Sequence, residues 1–244
     1  PAPGDSETQW SRLAARYLRK EFALAKEVKR ATVHIAGMGL YELFINGQRI
    51  GEQVLAPAPT DYRKTILYNT YDVTPQLQKE NAIGVILGNG RFYTMRQNYK
   101  PYKIPTFGYP KLRMNLIVEY TDGSKQTIAS DISWKLTTEG PIRSNNEYDG
   151  EEYDARKELG DWNRTGYDDT NWISAQRVSI PSGTLRAQMM PGMKVTESLK
   201  PVSIRKQGGK HILDIGQNMA GWLRIRIKGQ AGDSIRLRFA ERLQ

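Results

Sequence analysis

The sequence predicts an all-β chain: a jelly-roll or β-sandwich module followed by part of a second β-sandwich domain. Period-two alternation of apolar and polar residues recurs along most of it, while sustained helical periodicity is absent. Turn dipeptides such as Asn46-Gly47 and Asp122-Gly123 punctuate the alternating runs. The 244 residues suffice for one well-cored domain and part of another.

Residues 1–15 read as an N-terminal arm. Pro1 to Thr8 is polar and Pro-rich, and Trp10, Leu13 and Tyr17 either form a helical stripe or pin the arm onto the sandwich. Ala31, Val33 and Ile35 then share one strand face, as do Tyr41, Leu43 and Ile45. Asn46-Gly47 predicts a type I′ reversal before Arg49-Ile50. Thr74 as N-cap and Pro75 with its fixed φ start about one helical turn, which ends at Glu80-Asn81. The apolar run Ile83 to Leu87 reads as a buried strand, with Gly88-Asn89-Gly90 as the turn after it. That glycine pair lacks the Lys-Ser/Thr ending of a phosphate loop.

Between Arg113 and Tyr120, the residues Met114, Leu116, Val118 and Tyr120 alternate to one face. Asp122-Gly123 folds this strand back onto Gln126-Thr127-Ile128. In Gly166 to Trp172, the Asp and Asn residues favour a turn that Tyr167 and Trp172 anchor to the core. Periodicity lapses from Pro181-Ser182-Gly183 to Gly192. The expected organisation is therefore a sandwich over 16–183, a linker over 184–194, and the first strands of a truncated β-domain over 195–244. In that last part Leu223, Ile225 and Ile227 alternate with Arg224, Arg226 and Lys228. Ile235, Leu237 and Phe239 alternate with Arg236 and Arg238, and Gly229 to Asp233 links the two runs like a hairpin. Such a pair has one apolar face and one cationic ladder. The ladder is read as a solvated face, or as a docking face for a missing domain or an acidic glycan. About fifty residues are marginal for a free-standing core, so this segment should lean on the first module or belong to something longer.

Composition removes several function classes. With no cysteine there is no disulfide, thiolate chemistry or zinc-cysteine site. His34 and His211 are the only histidines, which rules out a multi-histidine metal centre and argues against a Ser-His-Asp triad. No stretch approaches the length of a membrane helix, so no membrane partner is expected. The start at Pro1 suggests a processed or cut chain. A net charge of +10 attracts polyanions, yet the Lys and Arg residues are scattered, without the dense aromatic-interleaved tract of a nucleic-acid groove. No nucleic-acid partner is expected.

The densest polar-aromatic stretch runs from Tyr148 to Arg156. Tyr148, Asp149, Glu151, Tyr153, Asp154 and Arg156 are candidates for carbohydrate contact, since carboxylates accept sugar hydroxyl protons and rings cover apolar sugar faces. The plainer reading is structural: Arg156 pairs with Asp154 or Glu151, and Asp149-Gly150 makes a turn. Adjacent acids such as Glu151-Glu152 alternate faces on a strand, so no catalytic carboxylate pair is assigned. Calcium is left open as a loop-bound ion of unknown ligands, and no cofactor is required.

Several segments together resemble the N-terminal module of the family-78 glycoside hydrolases, the bacterial α-L-rhamnosidases. They are Arg19-Lys20-Glu21-Phe22, Gly39-Leu40-Tyr41-Glu42, Ile45-Asn46-Gly47, Thr60-Asp61-Tyr62, Tyr148-Asp149-Gly150-Glu151 and Tyr153-Asp154-Ala155-Arg156. The later stretch Asp214 to Trp222, followed by Ala231-Gly232 and Ala240-Glu241, is similar to the next β-domain of those enzymes. The resemblance implies a galactose-binding-like jelly roll. It also implies a parent enzyme that removes terminal rhamnose from glycans by inversion in an (α/α) barrel beyond Gln244. No residue here corresponds to the acid and base of that barrel, so this chain alone is expected to be inactive. Its expected partners are its own catalytic domain and carbohydrate, including rhamnose-containing acidic glycans. A periplasmic or extracellular bacterial location is expected, with the cytoplasm left open. Some relatives of the module bind rhamnose with calcium. Where the family commonly reads Gly-Asp-Gly-Trp this chain has Gly88-Asn89-Gly90-Arg91, which adds Asn89 and Arg91 to the sugar-contact candidates while losing a carboxylate and an aromatic. The readings kept open are an accessory fragment, an independent rhamnose- or pectin-binding module, and a sandwich from another glycosidase family.

Overall fold

Alternating side chains close two sheets face to face in the computed structural model, which describes residues 13–94, 107–147 and 150–241. The chain divides into two units, Pro1–Val195 and Thr196–Gln244. The first begins with β1 (Arg16–Ala23), β2 (Val28–Met38), β3 (Leu40–Ile45), β4 (Gln48–Arg49), β5 (Thr65–Asp72) and β6 (Glu80–Gly88). It continues with β7 (Lys111–Tyr120), β8 (Lys125–Ala129), β9 (Lys135–Thr137), β10 (Ile142–Asn146), β11 (Gly150–Tyr153), β12 (Ile173–Ser174) and β13 (Thr184–Ala187).

One sheet has six strands in the order β12-β9-β1-β6-β3-β4, the other five in the order β13-β5-β2-β7-β8, and β10 and β11 form a separate hairpin. Register decides which residues meet. Leu18 lies opposite Val85, which lies opposite Leu43, while Val33 lies opposite Leu116. These residues join Ala31, Ile35, Ile45, Ile83, Met114 and Val118 in one buried cluster with Trp134. Each large apolar side chain buried this way contributes about 1.5–3 kcal/mol. The three faces read from alternation, at Ala31 to Ile35, Tyr41 to Ile45 and Met114 to Tyr120, therefore all point into the space between the sheets.

The expected turns form. Asn46 and Gly47 both have positive φ, 51° and 81°, as a type I′ reversal requires. The Asn46 side chain also donates to Gln76 O and accepts from the Ala82 N–H, both at 2.9 Å. Gly123, with φ 83°, sits in the β7–β8 connection. The helical turn is a 3₁₀ turn over Thr74–Gln76 whose N-cap is Val73. Thr74 does not cap it, because its hydroxyl donates to Asp72 and accepts from the Ala31 N–H. Glu80 opens β6 instead of ending a helix.

Two segments differ from expectation. The range 184–194, read as a linker, contains β13, which pairs in parallel with β5, Thr184 opposite Thr65. A four-residue parallel edge strand leaves little alternation to read. In the second unit the strands are β14 (Ser203–Gln207) and β15 (Lys210–Asp214). They pair around Gly208-Gly209, whose φ values are 56° and 75°. The Leu223–Lys228 and Ile235–Phe239 runs form no ladder, although Asp233 N–H closes a turn on Gln230 O. Their apolar residues stay largely exposed, and a two-stranded ribbon without a second layer is marginal in water. Among the described residues no helix is long and apolar enough to cross a membrane, which says nothing of a β-barrel.

Candidate functional site

Arg19 and Tyr17 on β1, Glu42 and Phe44 on β3, and Gly84 and Ile86 on β6 face away from the main core. Register places Tyr17 opposite Ile86, and Arg19 opposite Gly84. The segment 159–172 lies on this face. Trp162 meets Tyr17 edge-on at 5.3 Å and Phe44 at 5.9 Å, and stacks on Trp172 at 6.2 Å. Gly84 makes room for it, since a Cβ there would come within 2.7 Å of the indole. Trp172 and Tyr167 anchor the turn, as the sequence suggests.

Arg19 is the tie that sequence reading missed. Its buried guanidinium donates to Trp162 O at 2.8 Å and Arg164 O at 2.9 Å, and pairs with Asp169 and Glu21. It also lies 5.3 Å from the Tyr167 ring centre. Five fixed donors on one planar group suit this convergence of carbonyls and carboxylates. Beside it opens a shallow cleft of about 450 Å³ lined by Arg19, Lys20, Glu21, Ser133, Lys135 and Tyr167. Lys20 is occupied, donating to Ser133 Oγ at 2.7 Å.

The predicted sugar-contact residues separate into three groups. Tyr148 and Asp149 lie outside the described residues. Glu151 and Tyr153 stand exposed on the β10–β11 hairpin, opposite Asn145 and Ile142. Tyr153 donates its hydroxyl proton to Glu158. Although Glu151 keeps much of its surface in water, partial desolvation and then the charge of Glu42 raise its carboxyl above the usual range. Burial pushes Tyr17 up to about 12; a hydrogen bond with the Ile142 backbone opposes that, and Glu158, Glu151 and Glu42 add to it. These four ionisable groups therefore share one electrostatic neighbourhood. Asp154 caps the 3₁₀ turn Ala155–Lys157 by accepting the Arg156 N–H at 3.1 Å, and its carboxylate also takes the Arg156 guanidinium in a forked pair at 2.8 Å. That bond, outweighing slight desolvation, holds Asp154 down at about 2.

Asn89 and Arg91 occupy a third place. Asn89 is only 2% exposed. Its amide donates to Leu13 O at 3.2 Å and Asn145 O at 2.7 Å, and its N–H donates to Asn145 Oδ1 at 2.7 Å. Asn89 is thus a strut behind the hairpin, its amide nitrogen shared between two backbone carbonyls. Arg91 pairs with Glu147 at 2.7 Å. Calcium asks for six to eight oxygens. Asn89 Oδ1 is buried without a hydrogen-bond partner, and among the described residues no group of three or more His, Asp or Glu side chains converges. His34 and His211 are strand residues, as expected, and His34 Nδ1 lies 3.0 Å from Thr70 Oγ1.

Comparison with known proteins now gives the lineage. Residues 26–197 match the α-L-rhamnosidase N-terminal domain, and residues 204–244 match the bacterial α-L-rhamnosidase concanavalin-like domain. An α-L-rhamnosidase of Formosa agariphila is 41% identical over 94% of this chain and 25% of its own length. One of Streptomyces avermitilis is 39% identical over 95% of this chain and 23% of its own length. The solved α-L-rhamnosidase of Dictyoglumus thermophilum superposes with a TM-score of 0.76 at 44% identity, covering 84% of this chain and 22% of that one. The chain spans about a quarter of the length of the curated relatives it matches. These matches replace the alternative of a sandwich from another glycosidase family. The chain belongs to the α-L-rhamnosidase N-terminal domain family and continues into the concanavalin-like domain of the bacterial enzymes.

Proposed function

We propose that this chain is the non-catalytic front part of a glycosidase that removes terminal α-L-rhamnose from glycans, and that its two-sheet module supports the catalytic barrel. The observation carrying the reading is coverage: nearly the whole chain aligns with α-L-rhamnosidases, yet it accounts for only a quarter of them. The state of the conspicuous acids agrees. Asp154 caps a turn, Glu158 accepts from Tyr153, and Asp169 holds Arg19. Each serves the fold of the module itself.

If the module supports the barrel, loosening it should show in the enzyme that carries it. Arg19→Ala in the longer polypeptide is expected to lower the temperature at which rhamnosidase activity is lost by roughly 6–12 °C, with turnover at 25 °C retained. Unchanged thermal inactivation would contradict a supporting role. The exposed ring of Tyr153 beside Glu151 favours a second reading, a module that binds rhamnose-containing or pectic glycans. Calorimetry of the 244-residue chain with rhamnose and pectic fragments, with and without calcium, separates the two. Heat that Tyr153→Ala abolishes supports binding, and no heat leaves scaffolding.

A further inference from the structure

From the structure we infer that a methionine-rich strap on the first unit is a docking surface for a neighbouring domain of the same polypeptide. The strap follows β13. Met189, Met190 and Met193 are 92%, 58% and 51% exposed, and Val195 beyond them is exposed as well. Fraying does not explain this, because the strap is stitched down on both sides. Thr184 N–H donates to Lys64 O and Gln188 N–H to Tyr68 O, at 3.0 and 2.9 Å, and Met193 O accepts from Val54 N–H at 2.8 Å. The Gln188 side chain accepts from the Ala58 N–H and donates to Met190 O. The backbone is fixed while the thioethers point to solvent.

Next to it stands Leu55, with φ 53° and 53% of its surface exposed. A γ-branched residue at positive φ is uncommon and costs about 1–2 kcal/mol. Here that conformation holds an apolar side chain in water, one residue from the Val54 bond to Met193. Strain of this kind points to a use for the exposed side chain. Clustered exposed apolar residues mark interaction surfaces, and methionine is the side chain that best fits an irregular partner.

The occupant follows from size and charge. A handful of side chains falls short of the roughly 1,200–2,000 Å² that a stable complex between separate proteins buries. A domain tethered on the same chain meets the strap at about millimolar effective concentration, so a small patch suffices. Relatives of this chain are about four times its length. From Ser174 to Val195 there are three cations and no carboxylate; of these Lys194 lies 3.9 Å from Glu52, while Arg186 is exposed on β13, three residues before Met189. The partner is therefore a neighbouring domain that presents an apolar centre with an acid placed for Arg186. This inference rests on the reading of the chain as part of a longer rhamnosidase.

The methionines report on themselves, because peroxide oxidises a thioether to the sulfoxide only where it can reach it. Footprinting with hydrogen peroxide should be run on the 244-residue chain and on the longer polypeptide. Met190 and Met193 are expected to oxidise fast in the first and at least about tenfold more slowly in the second. Buried Met38 and Met114 should stay slow in both. Equal rates at Met190 and Met193 in an active longer rhamnosidase overturn the docking surface and leave the functional reading standing. A longer polypeptide without rhamnosidase activity overturns the functional reading whatever the footprint. Protection in the 244-residue chain that rises with its concentration marks a second copy as the occupant and overturns the tethered domain.

Discussion

Arg19 illustrates how much of this module hangs on single polar side chains. It lies within β1, yet its bonds reach Trp162, Arg164 and Asp169, so it holds the covering segment on the sheet. Arg19→Ala strands two carbonyls and two carboxylates. It is expected to cost about 3 kcal/mol, the low end for a broken buried pair because Glu21 and Asp169 keep some water. A urea transition followed by tryptophan fluorescence reads this through Trp162, and Arg19→Lys should recover only part, lacking the guanidinium fork. Glu151 gives a pH-dependent counterpart. Its raised carboxyl means that the fold favours the protonated form. The penalty is absent below the ordinary value of 4.5 and complete once pH passes the raised one. Glu151→Gln should therefore raise the thermal midpoint at pH 7 and leave it unchanged at about pH 3; a gain that persists at low pH would show that charge is not the cause. At this scale the sequence was only partly legible. The acidic-aromatic stretch was visible, but pairing between residues 150 positions apart, as at Arg19 and Asp169, leaves no local pattern. Asn89 likewise owes its place to partners far along the chain, its amide nitrogen donating to Leu13 O and Asn145 O.

Strands and tight turns were far more readable, because period two and positive φ are local properties. The inner faces of β2, β3 and β7 and the Asn46-Gly47 reversal could all be read from neighbouring residues. Where the pattern misled, the missing ingredient was a second layer: Leu223 to Phe239 alternates well yet forms no ladder. Gly208-Gly209, which turns β14 into β15, is itself a local turn signal. β13 was missed because parallel pairing with β5 depends on a partner more than a hundred residues earlier. Two glycines test how backbone geometry sets element stability. Gly39 joins β2 to β3 at φ 131°, and a Cβ there would run into the Gly88 carbonyl oxygen, while Gly123 at φ 83° has open space around it. Gly123→Ala should cost about 1 kcal/mol, the left-handed penalty alone. Gly39→Ala should cost roughly 2–3 kcal/mol, since backbone must move as well. Equal costs in chemical denaturation would show that the β2–β3 junction is looser than its geometry indicates.

The molecule as a whole pairs a well-filled sandwich with a second unit whose apolar residues face solvent. Trp222, Ile227 and Phe239 are all more than half exposed, in a unit of the size at which an isolated core is marginal. Exposed methionines lie on the first unit and exposed aromatics on the second. Composition indicated a folded chain of high positive charge, alternation made it all-β, and relatives supplied the lineage. The central claim is that rhamnose removal belongs to the longer enzyme and not to this part of it. Hydrolysis of an aryl α-L-rhamnoside by the purified 244-residue chain and by the longer polypeptide, at equal molar concentration, tests it most directly. The account predicts turnover by the longer polypeptide and none by the chain alone; turnover by the 244-residue chain would contradict it.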